Sequence, residues 1–182
     1  MNPLLGRNTD VNDAIVEPLP PLAETAGAGE SFEALYRRTF PRVYAYVASL
    51  LRDSSAAEEV TAQAFERAYR RRRTFRPARG SADAWLFGIA RNAALDELRR
   101  LKRHAALDVE PAAEEQPEAS LLRAAVRQAV AELEPRERDL VALKFAGGLS
   151  NAEIARVLRI SESNAGTRLH RVIEKLREAC SD

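Results

Sequence analysis

The chain has 182 residues, with 28 basic and 27 acidic side chains and 46% hydrophobic residues, enough for one or two small domains with modest cores. No apolar run is long enough to cross a bilayer, and the opening MNPLLGRNTD lacks the apolar centre of a secretory leader. The lone Cys180 excludes an internal disulfide, and His104 and His170 cannot assemble a zinc cluster, so a reducing cytoplasm with no metal and no cofactor is the expected setting.

The net charge of +1 hides a partition. Residues 1–30 carry a net −4, residues 31–103 a net +8 from 16 basic and 8 acidic groups, residues 104–120 a net −5, and residues 121–182 a net +2. Such asymmetry argues for a nucleic-acid surface on the first folded block, with acidic connectors on either side.

Residues 1–30 mix Pro, Gly, Ala and acids without periodicity and read as a disordered arm; PLPPL at 18–22 belongs to that tail rather than to a polyproline ligand. From Ser31 to Leu51 the residues Phe32, Leu35, Tyr36, Val43, Tyr44, Val47, Leu50 and Leu51 keep helical spacing. Pro41 should break or kink this helix, since it lacks an N–H and clashes one turn back. Ser55 with Glu58 reads as a capping box opening a helix that buries Val60, Ala64 and Ala68, with Phe65 and Tyr69 beside them, and that ends in Arg70 to Arg73. TFRPARGS then marks a flexible loop, after which Ser81 caps a helix running to about Arg103. Trp85, Leu86, Ile89, Ala90, Ala93 and Leu98 supply its buried side.

Residues 104–120 contain two prolines, five acids and almost no large apolar groups, the composition of a linker. Leu121, Leu122, Ala125, Val126, Ala129, Val130 and Leu133 make an amphipathic helix; Pro135 starts another, and Gly147 with Gly148 ends it. No strand-like alternation occurs. The expected class is all-α, two small helical domains joined by a flexible acidic linker, the second containing a helix-turn-helix.

That motif lies in the last third. Ser150 and Glu153 form a capping box, Ile154, Val157 and Leu158 give a short apolar face, and Arg159 to Ser161 make a break too short for the next helix to run alongside. Ser161 caps the second helix. At about 100° per residue, Ala165, Leu169, Val172 and Leu176 share one stripe, which must face a core. Ser163, Thr167, His170 and Glu174 fall opposite, with Asn164, Gly166 and Arg171 at the margins. These small and hydrogen-bonding groups near a helix start suit base edges in a major groove. A helical hairpin with a merely solvated face is the plainer alternative.

WLFGIARNAALDELRR at 85–100, paired with LEPRERDLVALKFAGGLSNAEIARVLRISESNAGTRLHRVIEKLRE at 133–178, resembles the extracytoplasmic-function sigma factors of bacterial RNA polymerase. The resemblance covers about residues 31–178. It implies a first domain over 31–103 that binds core RNA polymerase and melts the minus-ten promoter element, and a second over 121–182 that reads the minus-thirty-five element. Melting needs cations for phosphates and flat side chains for unstacked bases, each stacked base being worth about 1–3 kcal/mol. By resemblance those groups are Arg72, Arg73, Phe75, Arg76, Arg79, Trp85, Asn92, Arg99 and Arg100. The minus-thirty-five contacts would be Ser163, Asn164, Gly166, Thr167, Arg168, His170 and Arg171, with Gly166 departing from a position that is often basic. Polymerase binding would fall on Glu58, Glu59, Gln63 and Phe65, although Ala62 and Gln63 depart from the usual pattern and Phe65 could equally be core. The resemblance further implies an anti-sigma partner, no membrane insertion and no catalytic site. A stand-alone helix-turn-helix regulator and a protein-interaction adaptor are the rival readings; the first generally dimerises, and no dimer helix is evident.

Overall fold

The computed structural model describes residues 30–105 and 121–180, and every regular element among them is a helix. The expected disordered arm, PLPPL and nearly all of the expected linker lie outside the described residues. In the first unit α1 spans Phe32–Leu51, α2 Ser54–Arg71 and α3 Ala82–Ala105.

Ser31 starts α1, its hydroxyl accepting from the Ala34 N–H at 3.1 Å. Of the expected break or kink at Pro41 the break is absent, since α1 runs on through that residue as one helix. Pro41 and Arg37 both face solvent, so the Arg37 carbonyl that proline leaves without an intrahelical partner is open to water. The expected capping box at Ser55 is also corrected. Asp53 caps α2, with Oδ1 accepting from the Ala56 N–H at 2.8 Å, because Arg52 closes α1 in the left-handed conformation (φ 57°) and places Asp53 at the next helix start. Ser81 caps α3 as expected, accepting from the Ala84 N–H at 3.1 Å. Leu35, Val43, Val47, Ala64, Ala68, Leu86 and Ala90 are fully buried among the three helices. Phe87 joins them, whereas Trp85, Ile89 and Leu98 are only half-buried.

The second unit holds α4 (Leu121–Glu132), α5 (Pro135–Phe145), α6 (Asn151–Leu158) and α7 (Glu162–Ala179). α4 seats Ala129 and Leu133 but leaves Val126 exposed, correcting its place in the buried stripe; the side chains of Leu121 and Leu122 lie outside the description. Ser150 and Glu153 form the reciprocal capping box of α6, Arg159 makes the turn in the left-handed conformation (φ 58°), and Ser161 caps α7 through the Asn164 N–H at 3.2 Å.

One apolar core runs through both units, from Leu35 and Phe87 to Leu143, Ile154 and Leu169. α5 packs on α1, and α6 on α3. At Gly147 the approach is so close that a Cβ would lie 2.9 Å from a Phe87 ring carbon and 2.7 Å from the Leu143 carbonyl oxygen, so only hydrogen fits.

Three polar bridges cross the same boundary. Asp139 of α5, 4% exposed, accepts from the Tyr46 hydroxyl at 2.8 Å and from Arg91 Nε at 2.6 Å. Arg42 of α1 donates Nε to the Gly147 carbonyl at 2.8 Å and Nη1 to Asp83 at 2.7 Å, and Asp83 also takes the Arg38 guanidinium. The Ser81 hydroxyl donates to Glu153 at 2.7 Å. Since Ser81 caps α3 and Glu153 belongs to the capping box of α6, one carboxylate lies between two helix N-termini, whose dipoles favour it.

Burial, reinforced by the Asp139 charge, pushes the Tyr46 hydroxyl well above its ordinary range. Burial works in the same upward direction on Asp83, but hydrogen bonds from Arg38 and Arg42 outweigh it and hold that carboxyl below its usual value. Glu153 is likewise lowered, its bonds from Ser81 and Ser150 overcoming desolvation. Carboxyls lowered in the fold stabilise it fully above their unfolded values near pH 4 and lose that contribution as pH falls through the folded values. The thermal midpoint should therefore be nearly flat from neutrality to about pH 5 and fall below about pH 4. Circular-dichroism melts across pH check this, and a decline already steep between pH 7 and 5 would assign the dependence to other groups.

Candidate nucleic-acid interface

α7 has the two faces that its periodicity requires. Ala165, Leu169 and Val172 are buried and Leu176 is half-buried, while Ser163, Thr167, Arg168, His170 and Arg171 are exposed and Asn164 and Gly166 partly so. The charged and hydroxyl groups thus form a continuous solvent face on a helix whose opposite side is fixed in the core. A Cβ at Gly166 would meet only the Asn151 side-chain nitrogen, at 3.6 Å. Gly166→Ala should therefore stabilise the protein by about 1 kcal/mol through helix propensity, read from a denaturant midpoint; a loss of stability would reveal crowding there.

In the first unit the expected loop between α2 and α3 contains two short ordered turns. Residues 72–74 and 77–79 are 3₁₀ turns, held by Phe75 N–H to Arg72 O at 3.2 Å, Arg79 N–H to Arg76 O at 2.8 Å and Gly80 N–H to Pro77 O at 3.0 Å. Phe75 is not offered to a base: it is 8% exposed and packs on Trp85, ring centres 5.4 Å apart. Arg72 is engaged locally, its guanidinium 4.1 Å from the Tyr69 ring centre and donating to the Tyr69 carbonyl. Arg73, Arg76 and Arg79 are exposed. Arg99 and Arg100 pair with Asp96 and Glu97 one turn back; exposed pairs of this kind are weak, so both guanidinia remain exchangeable.

Trp85 and Asn92 line an open cleft of about 830 Å³ together with Arg71, Arg76 and Arg79 from the first unit and Arg156 and Arg159 from the second. Among the described residues, none of these five arginines is ion-paired. The cleft is thus strongly cationic, with Trp85 and the Asn92 side-chain amide among its lining, suited to phosphates and an unstacked base. Arg71, Arg156 and Arg159 were not among the sequence candidates, because only the tertiary packing of α6 on α3 brings them to the others.

On α2, Glu58 and Glu59 are exposed, and Gln63 donates to Glu59 at 3.1 Å. Phe65 is 4% exposed, with its ring 4.8 Å from that of Tyr36, so it is a core residue rather than a surface contact. The aromatic groups presented above it are Tyr36 and Phe40. Their spacing of four residues on α1 was a legible signal for Phe40, which the sequence reading left out. Among the described residues no cluster of His, Cys, Asp and Glu could hold a metal, and no helix is long and apolar enough to cross a membrane.

Residues 35–104 match Sigma-70 region 2, and residues 123–176 match Sigma-70, region 4. Over 172 residues the chain is 34% identical to the ECF RNA polymerase sigma factor BldN of Streptomyces coelicolor, covering 88% of this chain and 65% of that protein, slightly under two thirds of its length. It is 30% identical over 172 residues to the ECF RNA polymerase sigma factor SigK of Mycobacterium tuberculosis, covering 88% and 91%. The fold is that of the sigma factor RpoE solved in complex with the anti-sigma factor NepR from Bartonella quintana, with a TM-score of 0.68 at 22% identity over 82% of this chain and 96% of that one.

Proposed function

This chain belongs to the extracytoplasmic-function sigma factors of bacterial RNA polymerase, and we propose that it acts in the cytoplasm as a promoter-specificity subunit without chemistry of its own. The observation that carries this reading is the pairing, in one chain, of a solvent-facing α7 surface with an arginine-rich cleft that Trp85 and Asn92 of the first unit line together with residues of both units. The first surface suits intact base pairs in a major groove. The second suits a separated strand, whose phosphates need cations and whose bases need a flat neighbour.

In this reading residues 31–103 engage core polymerase and the minus-ten element, and residues 121–182 engage the minus-thirty-five element. Arg73, Arg76, Arg79, Arg99 and Arg100 take phosphates, and Asn92 with Trp85 takes an unstacked base. Ser163, Thr167, Arg168, His170 and Arg171 read the upstream duplex. Glu58, Glu59 and Gln63, with Tyr36 and Phe40 in the role first assigned to Phe65, face polymerase. An anti-sigma protein is the expected inhibitor, by analogy with RpoE and NepR.

Run-off transcription with purified core enzyme over a genomic template set tests the reading, and complete absence of a start site would overturn it. A finer test is the salt dependence of promoter binding. Arg76→Ala with Arg79→Ala should lower the slope by roughly 0.7–0.9 for each phosphate contact removed, whereas an unchanged slope would return both side chains to solvent.

A further inference from the structure

We propose that the cationic cleft lined by α3, α6 and the turns after α2 is a binding site for a free nucleotide carrying three or more phosphates. The inference goes beyond the promoter reading and rests on it only for its consequence, that a bound nucleotide and a separated promoter strand compete for Trp85 and Asn92.

Charge decides the class of ligand. Arg71, Arg76, Arg79, Arg91, Arg156 and Arg159 line the cleft, and among the described residues no Asp or Glu does. Of the six, Arg91 is ion-paired, to Asp139; the other five have no described counter-charge. Five guanidinia around a space of about 830 Å³ repel one another, and their planar forks match phosphate oxygens in pairs. A nucleic-acid strand brings a single charge with each nucleotide, which leaves most of these cations unbalanced. A nucleotide with a chain of phosphates places several charges beside one base, and the volume lies within the range of about 300–1,000 Å³ usual for a small-molecule site.

Two residues of the wall weaken the fold for no packing reason, and a ligand accounts for both. Trp85, Gly88, Ile89 and Asn92 share one face of α3, and all line the cleft. A Cβ at Gly88 would meet nothing within 4 Å, so alanine fits there and makes the better helix. Glycine instead leaves open space one turn from the Trp85 indole, room for a base to lie beside it. Arg159 adopts the left-handed conformation, φ 58°, which strains any residue with a Cβ and suits glycine. Its side chain is nevertheless exposed in the cleft and unpaired. Arg156 of α6 crosses Gly80 so closely that a Cβ there would lie 2.9 Å from its Cδ, which brings this guanidinium to the turn that carries Arg79. The base site thus falls on α3, and the phosphate site between α6 and the 77–79 turn.

Trp85 is the single tryptophan of the chain, so its fluorescence reports on this cleft alone. The full chain, without polymerase or DNA, is titrated at about 0.15 M salt with adenosine triphosphate, guanosine triphosphate, inorganic tripolyphosphate and adenosine, with calorimetry for any probe that leaves the fluorescence unchanged. At least one nucleoside triphosphate should saturate the signal with a Kd below about 1 mM, and tripolyphosphate and adenosine should each bind at least about tenfold more weakly. Arg159→Gly should raise the thermal midpoint by about 2–4 °C while weakening triphosphate binding about tenfold. Gly88→Ala should also melt higher and bind more weakly, because its methyl group occupies the open space. Neither triphosphate saturating, tripolyphosphate binding as tightly as the nucleotide, or Arg159→Gly keeping the parent's affinity would each overturn the proposal. Run-off transcription is scored separately, so failure of the promoter reading leaves the titration standing and is told apart from failure of the nucleotide site.

Discussion

Leu169→Ala is expected to lower the stability of the protein by about 2–5 kcal/mol. Leu169 is 5% exposed and sits between Ala165 and Val172 on the buried side of α7, where removal of three carbons leaves a cavity that rigid helices fill only in part. The consequence for DNA binding is indirect. The exposed groups of α7 are unchanged, but the helix that carries them loses its seat, so promoter affinity should fall as the unfolded fraction rises and recover when the temperature is lowered. Denaturant unfolding with paired binding measurements checks this, and a destabilisation under about 1 kcal/mol would mean that α7 is not anchored along this stripe.

Arg171→Ala should have the complementary signature. The side chain is exposed, so stability should stay within about 0.5 kcal/mol of the parent, while recognition of the upstream element weakens by roughly 1–3 kcal/mol, or about five- to 150-fold. Polymerase binding should be unaffected. Competition between duplexes carrying an intact and a scrambled upstream element provides the measurement; equal loss on both would make Arg171 a phosphate contact, and loss of the polymerase complex would place it at another interface altogether.

Much of this architecture is written locally in the chain. The caps at Ser81, Ser150 and Ser161 act within three residues of themselves, and the stripe of Ala165, Leu169 and Val172 follows from helical period alone, so both could be read before any coordinates. The failures have physical reasons. Pro41 is tolerated because the carbonyl it leaves unbonded faces water, which a propensity argument does not see. Asp53 displaced Ser55 as cap because the end of α1 fixes where α2 begins. Phe75 and Phe65 carry the residue type that stacking or docking requires, yet each is taken up by neighbouring aromatic rings. Asp139 gave no signal at all. A single carboxylate on a helix is ordinarily solvated, and only the approach of α1 and α3 turns it into a buried acceptor for Tyr46 and Arg91.

The unbroken packing between the units bears on how the molecule loses its structure. Leu143, Leu149 and Ile154 belong to the same apolar mass as Leu35, Val47 and Phe87, so melting either half strips a wall from the other. Calorimetry should then record a single heat-absorption peak whose van't Hoff and calorimetric enthalpies agree, where a pair of independent beads on a string would melt in two steps.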